Sequence, residues 1–425
     1  MIDSKKAYRS WALYDWANSA FATTVMAGFF PLFFSKYYSS ATDASISTYY
    51  LGIANSVASI IVAALAPFLG AIADRGTAKK KFLFTFAFLG IIMTGGLWMV
   101  AQGQWQLAAL FYILATVGFS GGNIFYDSLL PGVASKKKVD YVSSLGFGLG
   151  YIGGGVLFLI NVLMYQMPHI FGIPDEVTAI KLSFLSVAIW WAVFSIPIFI
   201  WVEEPKIYDK KGIFSAVKLG WLQLLGTLKD IKHLKVVGIF LFAYWFYIDG
   251  VDTIVRMAIK VGDELGFESS SLIIALLLVQ FIAFPCTLLY VKYSNKVGLK
   301  KAIMTGIVGY AIITFLGYFM TQTWHFFVLA AMIGLFQGGI QALSRSLYTR
   351  LIPKEKSAEF FGFYNMLGKF AAVLGPLMMG YITKVTGNVR IGVLSILVLF
   401  VIGGILLLKV DIEEGEKMAK EYLSK

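Results

Sequence analysis

Three charged residues stand close together in an otherwise apolar stretch of the second half of the sequence. Asp249, Asp252 and Arg256 are spaced i, i+3 and i+7, so a helix would place all three on one face. Asp252 and Arg256 can pair across one turn, which would leave Asp249 less compensated. A carboxylate withdrawn from water with one weak partner suits a proton carrier or a ligand for a substrate ammonium. The alternative interpretation is a structural ion pair that seals helix contacts.

A second polar stripe follows further along the chain. Gln337, Gln341 and Arg345 are spaced i, i+4 and i+8, and Asn365 and Lys369 form another i, i+4 pair. Two amides and a guanidinium make a donor-rich wall that can hold a carboxylate or phosphate, the arginine by two parallel bonds. Arg345 lies near the end of its apolar run, so a gating or structural pairing is the equal alternative.

The first half carries a related set of polar residues. Asp15 and Asn18 repeat the spacing of Asp249 and Asp252, displaced by 234 positions. Asp15 closely follows basic residues, which predicts a position at the rim of a cavity or at a gate. Asn123 and Asp127, at i and i+4 near the end of another apolar run, are also predicted to act in gating, with Asp127 as a partner for Arg345.

Apolar runs of about 20 residues must position these side chains. The 425-residue sequence is 58% hydrophobic and 14% charged, with a mean hydropathy of +0.75, whereas soluble domains carry about a quarter charged residues. An all-α protein with twelve transmembrane helices is therefore predicted. The spans are expected at 11–35, 48–73, 82–101, 105–126, 141–165, 179–201, 236–260, 269–291, 302–321, 325–349, 360–383 and 390–409.

The net charge of +12 reflects topology and not nucleic-acid binding. Of the 36 Lys and Arg residues, 28 fall on one side of the predicted membrane, in alternate loops and at both termini. Such an excess marks the cytoplasmic side of a membrane protein. Both termini are therefore expected in the cytoplasm, and the chain is expected to span the lipid bilayer. The first apolar stretch is too long for a cleavable signal and is expected to remain as a span.

Internal repeats indicate two related halves. The loop 70–81 resembles 295–301 at a displacement of about 221, and Pro131 and Pro353, in similar contexts, are 222 positions apart. Two matches at one offset predict pseudo-symmetric six-helix bundles related by an axis along the membrane normal. The predicted divisions are an N-terminal half at 1–202, an amphipathic cytoplasmic linker at 203–235, a C-terminal half at 236–410 and a tail at 411–425.

The loop after the second span resembles the signature loop of the major facilitator superfamily. Gly70, Asp74, Arg75 and Lys79 match the pattern of an acidic residue followed by basic ones, while Asn295 replaces the acid in the second half. The resemblance implies that this loop latches neighbouring helices and sets the equilibrium between two states. Charge-assisted bonds that form and break between conformers would do so.

Two further motifs carry a narrower resemblance that extends over essentially the whole chain. The segments 11–21 (WALYDWANSAF) and 337–346 (QGGIQALSRS) look like signatures of the autophagy-related vacuolar amino-acid effluxer branch. This resemblance implies a secondary transporter with no ATP site, in bacteria an inner-membrane protein. It also suggests efflux and amino-acid transport, because fungal members are associated with amino acids.

The leading hypothesis is a secondary active transporter that moves a small solute by alternating access and is coupled to a proton or sodium gradient. Acid and base in one cavity suit a zwitterion such as an amino acid. A carrier of a lipid-like amphiphile and a non-transporting receptor or sensor remain as alternatives. No cofactor, metal site, nucleic-acid partner or enzymatic activity is expected, since His169, His233, His325 and the single Cys286 are scattered. A monomer is expected.

Overall fold

The structure, a computed structural model, consists of helices joined by short loops. It describes residues 2–40, 44–76, 78–204 and 234–422, apart from the side chains at 44–45, 48–49, 75–76, 260, 263–264, 269 and 369–373. Each apolar run forms a helix because backbone N–H and C=O groups in lipid must bond within their own segment.

Within the described residues, twelve long helices follow one another and are followed by a short thirteenth. The first, α1, is Lys5–Tyr38: α-helical at Lys5–Ala20 and Phe30–Phe33, and π-helical at Phe21–Phe29 and Phe34–Tyr38. The others are α2 (Ala44–Gly76), α3 (Lys79–Gly96), α4 (Trp105–Val133), α5 (Val139–Gln166), α6 (Glu176–Trp201), α7 (Lys235–Glu264), α8 (Ser269–Val297), α9 (Leu299–Tyr318), α10 (Thr323–Leu351), α11 (Ser357–Thr386), α12 (Val389–Leu408) and α13 (Ile412–Glu421). Each predicted span coincides with one of the first twelve.

Within the described residues, eleven helices are long and apolar enough to cross a membrane. The remaining predicted span, 360–383, falls in α11, which is 30 residues long and includes the stretch of undescribed side chains. The predicted all-α, polytopic fold is therefore confirmed.

One membrane face carries most of the predicted basic loops. We call the face at which α1 begins and α12 ends the basic face, and the other the opposite face. At the basic face, Asp3 N–H donates to the Val133 carbonyl at 2.9 Å, and Ser135 N–H donates to Asp3 Oδ1 at 2.9 Å. The Ser135 bond lowers the pKa of Asp3 because it stabilises the carboxylate. The chain's start is thereby fixed to the α4–α5 loop.

Buried apolar side chains form two clusters. One contains residues between Tyr8 and Val202 together with Leu277 and Ala358, and the other contains residues between Leu234 and Val410. We use N-terminal half for α1–α6 and C-terminal half for α7–α12. The predicted linker at 203–235 lies almost wholly outside the described residues, and its amphipathic character stays a prediction.

Glycines allow the helices that carry polar residues to pack closely. On α5, a Cβ at Gly150 would come within 2.6 Å of Ser19 Oγ, and one at Gly153 would come within 2.7 Å of the Trp16 carbonyl. Gly150 and Gly153 therefore allow close helix packing, since small residues let membrane helices approach each other. This contact holds α1 close to α5, and both helices carry residues of the candidate site.

Candidate functional site

Arg345 of α10 crosses from the C-terminal half into a pocket of the N-terminal half. Its Nη1 donates to Asp127 Oδ1 of α4 at 3.0 Å, and Nη1 and Nη2 lie 3.4 and 3.3 Å from Asp15 Oδ2 of α1. Its Nε donates to Ser143 Oγ of α5 at 3.0 Å. The Arg345 side chain is 3% exposed, and those of Asp15 and Asp127 are 12% and 8% exposed. We call these four residues the Arg345 cluster.

Neighbouring groups hold the cluster in place. Tyr126 Oη donates to Asp15 Oδ2 at 2.7 Å, and Asn365 Nδ2 of α11 donates to Asp127 Oδ2 at 3.3 Å. The guanidinium carbon lies 4.9 Å from the ring centre of Trp11 and 4.1 Å from that of Phe147. Aromatic faces attract a guanidinium most strongly where water is excluded. The predicted partnership of Arg345 with Asp127 is therefore present, and Asp15 completes it.

A second set of bonds joins the halves nearer the basic face. Asp74 Oδ1 and Oδ2 accept the backbone N–H groups of Ala358 and Glu359 at 3.0 and 2.8 Å, at the start of α11. Lys79 Nζ lies 2.8 Å from Asp74 Oδ1 and donates to Ser357 Oγ at 2.7 Å. A carboxylate is favoured at a helix N-terminus, whose unpaired N–H groups carry partial positive charge. Asp74 and Lys79, predicted as gating residues, thus lie on the contact between α2, α3 and α11.

Further bonds close the same face. Arg350 Nη2 lies 2.7 Å from Asp140 Oδ2, Ser346 Oγ also donates to Asp140, and Lys136 Nζ lies 2.6 Å from Glu416. Each bond joins α4–α5 to α10 or α13. The structure is therefore closed at the basic face.

Gly70 makes the close approach of α2 and α11 possible. A Cβ at this position would lie 2.8 Å from Glu359 Cα and closer still to the Ala358 carbonyl group, so backbone would have to move. Overpacking of this kind costs about 1–3 kcal/mol, so Gly70→Ala is expected to raise the population open at the basic face by about 5- to 150-fold. Maleimide labelling of a Ser128→Cys, Cys286→Ser protein measures this opening, because Ser128 is buried beside Ser357.

Gly52→Ala is the matched control, because a Cβ at Gly52 of the same helix would meet nothing within 4 Å. Equal labelling rates in the two alanine variants would contradict the assignment of Gly70 to the closed contact.

Asp249 of α7 is oriented differently from the prediction. It is completely buried against α11, where both carboxylate oxygens accept Gly375 N–H at 3.0 Å and Thr253 Oγ1 donates to Oδ1 at 3.3 Å. These donors are uncharged, which is consistent with the prediction that Asp249 is less compensated than Asp252, but its carboxylate faces α11 and not the accessible side of α7 that Arg256 occupies. The reason is a local one, since Gly375 leaves room for the carboxylate: a Cβ at this position would lie 2.8 Å from Asp249 Oδ1. Its role in substrate or ion binding stays a prediction.

Asp252 and Arg256 lie on the more accessible side of α7. Arg256 Nη2 is 4.0 Å from Asp252 Oδ2, and the two side chains are 47% and 27% exposed, respectively. Arg256 is within electrostatic range of Tyr112 on α4, and Asp252 is within range of Tyr151 on α5. Asp252 is equally within range of Tyr310 on α9. The Asp252–Arg256 pair is therefore partly exposed on α7, near polar groups of both halves.

Amide side chains form further polar pairs within and between the halves. Tyr151 Oη donates to Gln341 Oε1 at 2.5 Å, and Asn18 Nδ2 donates to Asn123 Oδ1 at 2.6 Å. Gln337 is 8% exposed, and its Oε1 accepts no hydrogen bond from the part of the chain that the structure describes. An acceptor buried without a donor is costly, so Gln337 offers a place for a donor from outside the protein.

Two predicted site residues cannot be placed in full. The side chains of Arg75 and Lys369 lie outside the described residues. Apart from Asp249, which is buried against α11, the remaining predicted residues divide into three groups: the Arg345 cluster with Asn365, the α2–α11 contact at Gly70, Asp74 and Lys79, and the polar residues Asn18, Asn123, Asp252, Arg256, Gln337 and Gln341.

Some residues of the site were not predicted. Ser143 and Tyr126 bond to the Arg345 cluster, and Gln280 Nε2 of α8 donates to Thr23 Oγ1 at 2.8 Å within the π-helical part of α1. π-Helical segments are uncommon and occur frequently at functional sites. The contact of Trp11 with the cluster could have been predicted from its spacing, because Trp11 lies one helical turn before Asp15 on α1.

Solved structures of known transporters share the fold. The human organic anion transporter MFSD10 aligns with a TM-score of 0.74 and 12% identity, covering 95% of this chain and 99% of the other. The proton:xylose symporter XylE of the major facilitator superfamily aligns with a TM-score of 0.74 and 14% identity, covering 99% and 98%. The chain therefore has the major facilitator fold.

Sequence relatives are transporters and effluxers. The uncharacterised MFS-type transporter YxiO of Bacillus subtilis is 40% identical over 418 residues, which cover 98% of this chain and 97% of YxiO. Autophagy-related protein 22 of Yarrowia lipolytica is 24% identical over 83% of this chain and 73% of its own length. The protein is thus a multi-pass membrane transporter and not an enzyme. The family described as "Vacuole effluxer Atg22 like" matches residues 38–420, and the chain belongs to this family.

Proposed function

We propose that this transporter moves a small zwitterion, such as an amino acid or a related solute, across the bacterial plasma membrane. The observation that carries the proposal is the Asp252–Arg256 pair, two opposite charges that are partly exposed within a membrane-spanning helix. Charged side chains inside spans are costly to keep and are usually functional. A solute with both charges can bond to each end of this pair without introducing a net charge.

The surrounding groups suit the two ends of such a solute. A carboxylate can accept two parallel bonds from Arg256, and an ammonium can donate to Asp252 and to Gln337 Oε1, which has no described donor. Tyr112, held by a 3.0 Å bond from its hydroxyl to Asn55 Oδ1, and Tyr151, held by Gln341, supply further polar contacts from the N-terminal half. Binding would thus draw on both halves of the transporter.

The positions of the bonds between the halves support alternating access. The Arg345 cluster and the α2–α11 contact close the basic face, which the charge distribution assigns to the cytoplasm. With these bonds made, the partly exposed Asp252–Arg256 pair would take up solute from the opposite face. Breaking these bonds and rocking the halves would expose the site to the cytoplasm. We propose that this movement is coupled to an ion gradient and that the transporter works as a monomer.

A second candidate, a carrier of amphiphiles, is favoured by one observation. A cavity of about 90 Å³, lined only by apolar residues, lies among α7–α12 and includes Val255 and Met257, the neighbours of Arg256. A hydrocarbon tail could occupy this cavity while its polar head meets the Asp252–Arg256 pair. The following experiment separates the two candidates.

Counterflow into proteoliposomes is expected to depend on both charges of the solute. Labelled amino acids should exchange, while the matching amino-acid amides and decarboxylated amines should compete at least about tenfold more weakly, since each loses a charge-assisted bond of about 1.5–3 kcal/mol. Lysolipids and fatty acids in the same panel test the second candidate. Exchange of sugars or nucleosides, with no response to amino acids, would contradict the zwitterion proposal.

A further inference from the structure

The Arg345 cluster contains more negative than positive charge. With both carboxylates ionised, Asp15 and Asp127 contribute two negative charges and Arg345 one positive charge. Among the described residues, Arg345 is the cation that lies within 4 Å of these carboxylates, at 3.3 Å from Asp15 and 3.0 Å from Asp127. A buried group of three with a net charge of −1 is unfavourable, because little water remains to solvate the excess charge.

Among the residues whose side chains the structure describes, which leave out Lys369 one turn beyond Asn365, no group packed around the cluster removes this imbalance. Asp140, one turn from Ser143 on α5, is neutralised by its own partner Arg350 at 2.7 Å. Asn365 and Ser143 are uncharged. The other described titratable groups near the carboxylates are phenols, which are neutral near pH 7: Tyr14, Tyr126, Tyr151, Tyr244 and Tyr364.

We propose that Asp15 and Asp127 together bind one proton when the basic face is closed and release it when that face opens. The proposal rests on the proposed ion-coupled function and identifies the ion as a proton. A proton from water forms an O–H bond with one carboxylate oxygen, so the cluster becomes neutral, and the other carboxylate keeps its bond to Arg345. Two carboxylates that share one site commonly hold a single proton in this way.

The location of the three residues couples the proton to the movement. Asp15 and Asp127 belong to the N-terminal half, whereas Arg345 belongs to the C-terminal half. When the halves separate at the basic face, the guanidinium is withdrawn and water reaches both carboxylates, which then ionise. Asp249 does not suit this role. Its hydrogen bonds come from Gly375 and Thr253, which belong to the same C-terminal half, so separation of the halves would not break them.

Distances across the basic face test the proposal without any solute. Nitroxide labels attached at Lys137→Cys and Glu355→Cys, both exposed, in a Cys286→Ser protein report the separation of the α4–α5 and α10–α11 loops. Since one proton is bound in the closed state alone, the ratio of open to closed molecules should rise with pH, by up to about tenfold per unit. In Asp15→Asn and in Asp127→Asn the cluster is neutral without a proton, so this ratio should not change with pH.

Asp140→Asn is the matched control, because it removes an acid that has its own arginine at the same interface. It is expected to alter the ratio but to keep its dependence on pH. A wild-type ratio that stays constant between pH 5 and 9, or that responds to sodium at fixed pH instead, would overturn the proposal. The proposal would also be overturned if the ratio of open to closed molecules depended on pH in Asp15→Asn and Asp127→Asn as it does in the wild type. These results do not depend on which solute is carried, so a failed solute panel leaves the proton site separately testable.

Discussion

Replacing Arg256 by glutamine is expected to lower transport of a zwitterionic solute by about 10- to 100-fold at low concentration. A bond between a guanidinium and a solute carboxylate contributes about 1.5–3 kcal/mol, and a glutamine at this position would retain only a neutral donor. Arg256→Lys should fall between the wild type and Arg256→Gln, because lysine keeps the charge but cannot form two parallel bonds. Initial rates of counterflow against solute concentration give the effect.

A solute analogue makes this experiment specific for the carboxylate. The wild type should prefer an amino acid to its amide, and Arg256→Gln should lose most of that preference, so that the two changes are not additive. Lys384→Gln serves as the control, since it removes an exposed positive charge at the opposite face, away from the Asp252–Arg256 pair. Unchanged preference in Arg256→Gln would show that Arg256 does not meet the carboxylate.

The architecture could be predicted from the sequence because lipid imposes a simple requirement on it. A span needs about 20 apolar residues and must satisfy its own backbone, so the lengths of the apolar runs determine the helices. The same reasoning identified Arg345 as a charge that needs a partner. Asp127 could be suggested as that partner, because Arg345 and Asp127 were both predicted to lie near the same membrane face.

The errors and omissions concern contacts between distant parts of the chain. Arg345 and Asp15 are 330 positions apart, and helical spacing alone does not show which helices face each other. Asp249 shares a helical face with Arg256, yet one is buried and the other half-exposed, because α11 covers α7 at Gly375. Periodicity indicates a common face but not which part of that face a neighbouring helix covers.

Replacing Arg345 by methionine is expected to open the basic face almost completely and to abolish coupled transport. The substitution leaves Asp15 and Asp127 buried with no cation among the described residues beside them. Breaking a buried ion pair in this way costs about 3–5 kcal/mol, which would shift the ratio of open to closed molecules by two to three orders of magnitude or more. Label distances between Lys137→Cys and Glu355→Cys measure that ratio directly.

The unpaired carboxylates, and not the lost side-chain volume, are expected to cause the opening. Combining Arg345→Met with Asp15→Asn and Asp127→Asn removes all three charges, so the closed state should be substantially restored, although coupling to pH should remain absent. Arg350→Met, which breaks the 2.7 Å pair with Asp140 at a more exposed position, is the control and should have a smaller effect. If Arg345→Met alone stayed closed, the Arg345 cluster would not hold the halves together, and the bonds of Asp74 to α11 would have to do so without it.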